Sequence, residues 1–594
     1  MVLLLALACN REEEIVCSNP TLNAQGRDLT FSGGCAQWVA RGRPLGPGDF
    51  SVRWEVDGQT ATPIITGEGT FYGLLLDGSL GLDGEEAAVL WKQGYQSWWW
   101  SGVTELQPLE WAERVPVAGG DGDGISAIDE TPGTSWWVGL LGRPNGASFL
   151  IGATGITTTK WYSAFERDRA IAVWGGRGER IVLTPDDELR LDPMWVGAGV
   201  DAWALHQDYA VAVADTQGIA PRTDLPHTGW ATWSVHYEDI TEDDVRDALD
   251  SLPPELDLVQ VDDGWQKRWG NWKPNEAFAG WDTLATDISD SGHTPGLWLA
   301  PFYVERGLGM YDQHPDWFVH EDGVPISYSN LGDNDYLILD VTHPDAAVFF
   351  QKNLSDRVDE GWTYFKLDFL YAGMQEGMRQ EQVTGAQAYA LGMQLIREAL
   401  GDSYFLACGA PMLPSVGYAD SFRTGADIAF GFDPDGQPEY LRWQARATAA
   451  RGWQNGIWWW NDPDQIMLRE PVDPSGALVA GLVSGGAWLY GDEADDVDPR
   501  FIDPELLALV GQGAVPRNPL TFLSGPDFGP VAELSTPDDR VPTIWDFPGG
   551  EVALLNLGKT AVTLDGPGGT ELLSGETAQQ GSRTLEPGAG EIWR

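Results

Sequence analysis

Between residues 222 and 500 the chain alternates short apolar runs with amphipathic stretches. The runs fall near 228–235, 256–263, 295–303, 363–370, 403–409, 422–428, 456–461 and 482–490. Turn residues bound them, as expected of short buried strands. The stretches between them carry helix start signals. Thr241 with Asp244 precedes Val245, Ala248, Leu249 and Leu252 on one face. Thr384 with Gln387 precedes Tyr389, Met393, Ile396 and Leu400, and Gly401 follows as a stop. Eight strands with helices between them predict a (β/α)8 barrel over 222–505, with its working groups at the C-terminal ends of the strands.

The flanking segments have a different rhythm. Residues 20–205 hold many short strand patterns, and helical periodicity is nearly absent there. Trp136–Leu141 and Ala147–Ile151 flank an Arg-Pro-Asn-Gly turn at 143–146, which predicts a hairpin. Strand patterning returns over 515–594, where Val541–Phe547 and Glu551–Leu557 surround a Pro-Gly-Gly turn. These patterns predict a multidomain α/β protein: a central TIM barrel with an N-terminal β-sandwich and a small C-terminal β-sandwich. No internal repeat or low-complexity tract interrupts it.

Composition narrows the function classes. A chain of 594 residues exceeds a single core. Its net charge of −53 excludes nucleic acid as a partner, because phosphate would be repelled. The acid is spread along the chain, as on a solvated surface. Thirty tryptophans, clustered at 98–100, 136–137 and 458–460, exceed what packing readily explains. Indole faces against pyranose rings would account for the excess.

Residues 1–19 read as a lipoprotein-type signal and tether. Leu3–Ala8 precedes Cys9, the expected lipidation site, and the charged run Arg11–Glu14 follows. The expectation is an exported, membrane-anchored protein of the periplasm or cell surface. In such a compartment Cys17 and Cys35 are candidates for a disulfide. Cys408 lies apart, in an apolar strand.

Charged groups stand where the barrel rule places function. Asp262 and Asp263 end the second strand, Lys366 and Asp368 the fourth, Cys408 the fifth, Arg423 and Asp427 the sixth, and Asp462 and Asp464 the seventh. One strand-end carboxylate is ordinarily a cap or an ion-pair partner. Carboxylates on four strand ends point to chemistry, and Asp368 with Asp427 would supply the nucleophile and proton donor of a retaining glycosidase. With Lys366 and Arg423 as the cations of the two strands, Arg423 is expected to face substrate or Asp368, since pairing with Asp427 would oppose protonation there. The seven histidines lack metal-ligand spacing, and no phosphate loop is present, so neither metal nor cofactor is expected. Gly119–Gly124 reads as a plain loop, and the Asp-rich stretch 332–335 as a turn.

Phe365–Gly373, Cys408–Gly417 and Arg423-x-Gly-x-Asp427 resemble the signature segments of glycoside hydrolase family 36, the bacterial α-galactosidases. Thr228–Trp233, Val261–Gln266, His314–Trp317 and Trp460–Asp464 match in the family's order, and Gly94–Trp98 resembles its loop over the barrel mouth. The resemblance implies that Asp368 is the nucleophile and Asp427 the acid/base. It also implies that Asp262, Asp263 and Lys366 hold galactose hydroxyls, that Cys408 and Arg423 contact the O2 side, and that Trp298, Trp98 and Trp233 line the pocket. The expected partners are α-galactoside oligosaccharides or glycans. Ala231, Ser234 and the stretch 428–432 depart from the usual pattern and bear on the pocket wall and leaving-group side. α-N-Acetylgalactosaminide hydrolysis and galactosyl transfer are the alternatives within this chemistry. A glycan-binding lipoprotein without catalysis ranks last, because both carboxylates are present.

Overall fold

The computed structural model describes residues 19–33, 35–84, 87–106, 133–175, 178–328, 335–428, 437–469, 472–520 and 541–594. Cys9, Cys17 and the 119–124 loop lie outside the described residues, as do residues 332–334 and most of 428–432. Cys35 is disulfide-bonded, and Cys408 is a buried free thiol.

The N-terminal part forms two antiparallel sheets, one of seven strands and one of nine, with a tryptophan-rich core between them. Their strands alternate exposed and buried positions where one face meets water, as in Ala36–Leu45. The expected hairpin is present: Val138–Gly142 pairs with Ser148–Ala153 around the 143–147 turn.

A helix not anticipated by the strand patterning follows, α1 (Ala202–Gln217). Asp201 caps it by accepting the Trp203 and Ala204 N–H groups at 3.0 Å, and Gly218 ends it at φ 68°. Its His206 sits between Trp91 of the N-terminal sheets, 4.2 Å away between centroids, and Trp453 of the next domain at 5.0 Å. The helix therefore ties the two parts together.

The central domain is built on parallel strands. They are β1 (Thr228–Ala231), β2 (Leu258–Val261), β3 (Thr294–Leu299), β4 (Tyr364–Leu367), β5 (Tyr404–Ala407), β6 (Ser421–Arg423), β7 (Trp460–Asp462), β8 (Gln465–Ile466) and β9 (Trp488–Tyr490). Their spatial order is β7-β6-β5-β4-β3-β2-β1-β9-β8. The two ends of that path, β7 and β8, are separated in sequence only by Pro463 and Asp464. The strand expected at 456–461 is found later and shorter, as β7, and the residues just beyond it form β8 at the other end of the sheet.

Among the described residues, the longer helices accompanying the strands are α2 (Glu242–Leu249), α3 (Trp281–Asp290), α4 (Pro344–Asp359), α5 (Gly385–Leu400), α6 (Gln437–Arg451) and α7 (Pro474–Ser484). Both expected capping boxes form, at Thr241 with Asp244 and at Thr384 with Gln387.

Three expectations change. The strand expected at 482–490 starts too early: residues 482–484 are the last turn of α7, and only Trp488–Tyr490 is strand. Residues 233–236 form a helical turn instead of extending β1. No α-helix joins β5 to β6. Gly409, Pro411, Pro414 and Gly417 break that segment, leaving a single 3-10 turn at Leu413–Ser415. The C-terminal part has a four-stranded antiparallel sheet and two two-stranded ribbons, with Ile544–Asp546 paired to Val552–Leu555 across the expected turn.

Candidate active site

Strand register decides which charges meet. Trp298 in β3 lies beside Lys366 in β4, and Arg423 in β6 lies beside Asp462 in β7. Asp368 follows β4 directly, and its N–H donates to Leu299 O at 2.8 Å. Side chains at these strand ends converge on one buried, charged cluster.

Asp368 is buried and both its oxygens are held. The Trp298 indole N–H donates to Oδ2 at 3.1 Å, and the Phe369 N–H donates to Oδ1 at 2.7 Å. Burial raises its affinity for a proton. The Lys366 ammonium opposes that rise and the Asp427 charge adds to it. Trp298 is thus more than the apolar wall expected of it, since it orients the carboxylate.

Lys366 does not sit directly on Asp368. Its Nζ lies 2.8 Å from Asp262 Oδ2, which also accepts from Gln260 Nε2 at 2.8 Å. Burial alone would lower the ammonium, but Asp262 more than offsets it and Lys366 stays firmly protonated. Asp263 is pushed up to about 7, chiefly by burial, with Gln266 and Trp269 donating to it and pulling the other way. Cys408, buried next to Asp368, has its thiol raised by burial and by that charge.

Arg423 departs from expectation. It was expected to avoid Asp427, yet Nη1 lies 2.5 Å from Asp427 Oδ1. It also meets Asp462 at 3.3 Å and Asp464 at 2.6 Å. The reason is spacing: four residues past the strand, Asp427 folds back over a guanidinium whose neighbouring strand already supplies acids. Asp427 is not on the strand expected at 422–428, which ends at Arg423. Its side chain keeps 34% of its surface exposed, whereas that of Arg423 keeps 2%.

Trp98 arrives from the N-terminal part. Its ring meets Phe369 edge-on at 5.1 Å and Tyr371 at 6.0 Å. The loop carrying it docks on the segment after β5, where Ser97 N–H donates to Ala410 O at 3.0 Å and Gln96 bridges Pro411. Trp233 is half-buried and packs edge-on against Tyr237 at 5.4 Å, with no ring or hydrogen-bond contact to the charged cluster among the described residues. Ser234 is buried, and its backbone N–H donates to Gln465 while its carbonyl accepts from Arg469.

Sequence reasoning passed over three residues at the site. Gln260, a polar residue inside the apolar run Leu258–Val261, carried a readable signal. Trp269 packs between Trp298 and Phe369 at 5.1 and 5.2 Å, and no motif marked it. Arg451, at the end of α6, donates to the carbonyls of Ser97, Gln96 and Thr424, binding the Trp98 loop to the segment that carries Asp427.

Residues 230–406 match the Melibiase family model. Over this stretch the central domain is similar to the melibiase family. The chain is 25% identical over 185 residues to the bifunctional alpha-galactosidase/sucrose kinase AgaSK of Mediterraneibacter gnavus, covering 29% of this chain and 19% of that protein. It is 27% identical over 183 residues to alpha-galactosidase AgaA of Geobacillus stearothermophilus, covering 28% and 25%. The matched segment thus spans a quarter or less of these curated relatives. Among solved structures, an alpha-galactosidase from Thermus thermophilus in complex with p-nitrophenyl alpha-D-galactopyranoside superposes with a TM-score of 0.60 at 23% identity, over 85% of this chain and 96% of that one. The GH36 enzyme AgaA superposes with a TM-score of 0.58 at 14% identity, over 97% and 86%. At these identities the structural likeness is one of fold.

Proposed function

We propose that this chain is a retaining exo-α-galactosidase acting on terminal α-galactosides. The observation that carries the reading is Asp368, buried at the end of β4 with a donor on each oxygen and Asp427 close enough for their charges to interact. The family match and the α-galactosidase relatives support the substrate class. The unbroken parallel path, whose ends β7 and β8 belong to one segment, supports a closed (β/α)8 barrel between the two β-domains.

In this reading the carboxylate of Asp368 attacks the anomeric carbon. Its two donors fix the attacking plane, and Lys366 offsets the cost of a buried charge. Asp427, the more accessible carboxyl, gives its proton to the departing glycosidic oxygen. Bond breaking leaves a galactosyl ester on Asp368 and a neutral leaving group. Asp427 then takes a proton from water, water attacks the anomeric carbon from the other face, and Asp368 leaves with the α configuration restored. Asp262, Asp263 and Lys366 hold sugar hydroxyls. Trp98 and Trp298 flank the ring.

The test is release of p-nitrophenol from the α-galactoside, set against its α-N-acetylgalactosaminide, α-glucoside and β-galactoside counterparts. Release from the α-galactoside alone is expected. D368N should lower turnover by at least about 1000-fold with the fold intact. Undiminished turnover would remove Asp368 as nucleophile, and release from the N-acetylgalactosaminide instead would change the substrate.

A further inference from the structure

A proton donor 2.5 Å from a buried guanidinium poses a difficulty, because an isolated Arg–Asp pair holds the aspartate as carboxylate. The surroundings of Arg423 supply an answer. Pro463 and Asp464 separate β7 from β8, and Asp464 takes up φ 77°, a left-handed conformation that Asp and Asn adopt more readily than most residues. Its carboxyl thereby reaches two targets. Oδ1 lies 2.6 Å from Arg423 Nη2, and Oδ2 accepts the N–H of Ile428, the residue after Asp427, at 2.7 Å. Asp462, which shares the same guanidinium through Nε, also accepts the Asp464 N–H at 2.8 Å.

We propose that Asp464 is a positioning residue that keeps Asp427 able to carry and deliver a proton, by sharing Arg423 with it and anchoring the peptide bond that follows it. This rests on the reading of Asp427 as the acid/base. Both parts of the arrangement act in one direction. A second carboxyl on Arg423 weakens its hold on Asp427, and a negative charge nearby disfavours another on Asp427. Among the described residues, the remaining charges facing the pair are Asp462, Asp368 and Lys366, with Cys408 beside Arg423. Burial raises Asp464 itself and Arg423 draws it down, as expected of two carboxyls flanking one cation.

Asp464→Asn separates this from a merely structural role. Asparagine tolerates the left-handed backbone and keeps an oxygen for the Ile428 N–H, but loses the charge. kcat/KM is measured from pH 4 to 9 on methyl α-galactoside, whose alkoxide needs a proton to leave, and on p-nitrophenyl α-galactoside, whose phenolate barely does. The expected result is a loss of about tenfold or more on the methyl substrate at pH 7 and less than about threefold on the nitrophenyl one. The basic limb for the methyl substrate should move to lower pH. Equal losses on both substrates with an unmoved limb would overturn the proposal. Should D464N fail to fold, D462N removes another carboxylate from the same guanidinium. The same unequal loss is then expected, and equal loss again overturns the proposal. D427A, assayed with and without azide, tests the underlying reading separately. Selective loss on the methyl substrate with azide rescue of nitrophenyl turnover upholds the acid/base role whatever D464N does, and absence of both would remove it.

Discussion

Asp263 is a carboxyl placed where charge is expensive. Folding raises it from 3.8 to about 7, first through burial. A carboxyl raised in this way contributes stability that is complete below its unfolded value and is lost as pH rises through the folded one. The loss from Asp263 therefore falls between about pH 4 and pH 7, and at about three pH units it amounts to no more than about 4 kcal/mol. Asp263→Asn should escape it. The melting temperature of the variant should exceed that of the parent at pH 8, and the gap should shrink toward pH 4. If the side chain holds substrate as proposed, the same change should cost about 100-fold or more in kcat/KM. A gap that stays constant with pH would mean that Asp263 does not titrate in this range. The candidate carboxylates were legible one by one in the sequence, each at the end of an apolar run. Their pairing was not: Lys366 meets Asp262 and Arg423 meets Asp462 because contacts across strands depend on register, while Asp427 reaches Arg423 because the chain turns back past β6.

The β5–β6 connection shows how one element shapes the charged cluster. Lacking a helix, it passes close to the end of β4, and Gly409 adopts φ 51° there. A Cβ at this position would lie 2.9 Å from Phe369 N and 3.1 Å from Trp98 Cζ2. Gly409→Ala should therefore cost about 1–3 kcal/mol in stability and raise KM, since both the backbone beside Asp368 and the Trp98 ring must give way. Chemical denaturation and steady-state kinetics check this, and an unchanged KM would show that Trp98 tolerates the shift. At α5, the Thr384 hydroxyl also donates to Thr158 O, in a loop of the N-terminal part, at 2.6 Å, so the cap doubles as a domain contact. Thr384→Ala should lower stability by about 1–2 kcal/mol without altering turnover. Both caps were readable because capping is local. Residues 474–484 were misread in part because Ala477–Val483 is apolar on every side, and such a run lacks the period that separates helix from strand. α1 was missed although Asp201 and Gly218 signal its ends, since it spans the join between two differently patterned regions.

Across the whole molecule, the proposed site draws on two domains. Arg451 binds the Trp98 loop of the N-terminal part to Thr424 of the parallel domain. Trp98→Ala should raise KM about tenfold while leaving kcat within about threefold. A fall in kcat alone would assign Trp98 to the chemical step. The net charge of −53 acts at the same scale through self-repulsion. Raising NaCl from about 20 mM to 500 mM shortens the screening length to a few ångströms and should lift the melting temperature by about 2–5 °C. A falling midpoint would mean that specific ion pairs outweigh the general repulsion. The sequence by itself determined the succession of β, parallel α/β and β regions, the caps, and the carboxylates at the strand ends. All of these follow from periodicity or from residues within one turn of each other. Only the tertiary structure decided that the consecutive strands β7 and β8 lie at opposite ends of the parallel sheet, that Trp298 orients Asp368, and that one arginine is divided among three acids. Each depends on which distant strands lie side by side, and no local pattern encodes that.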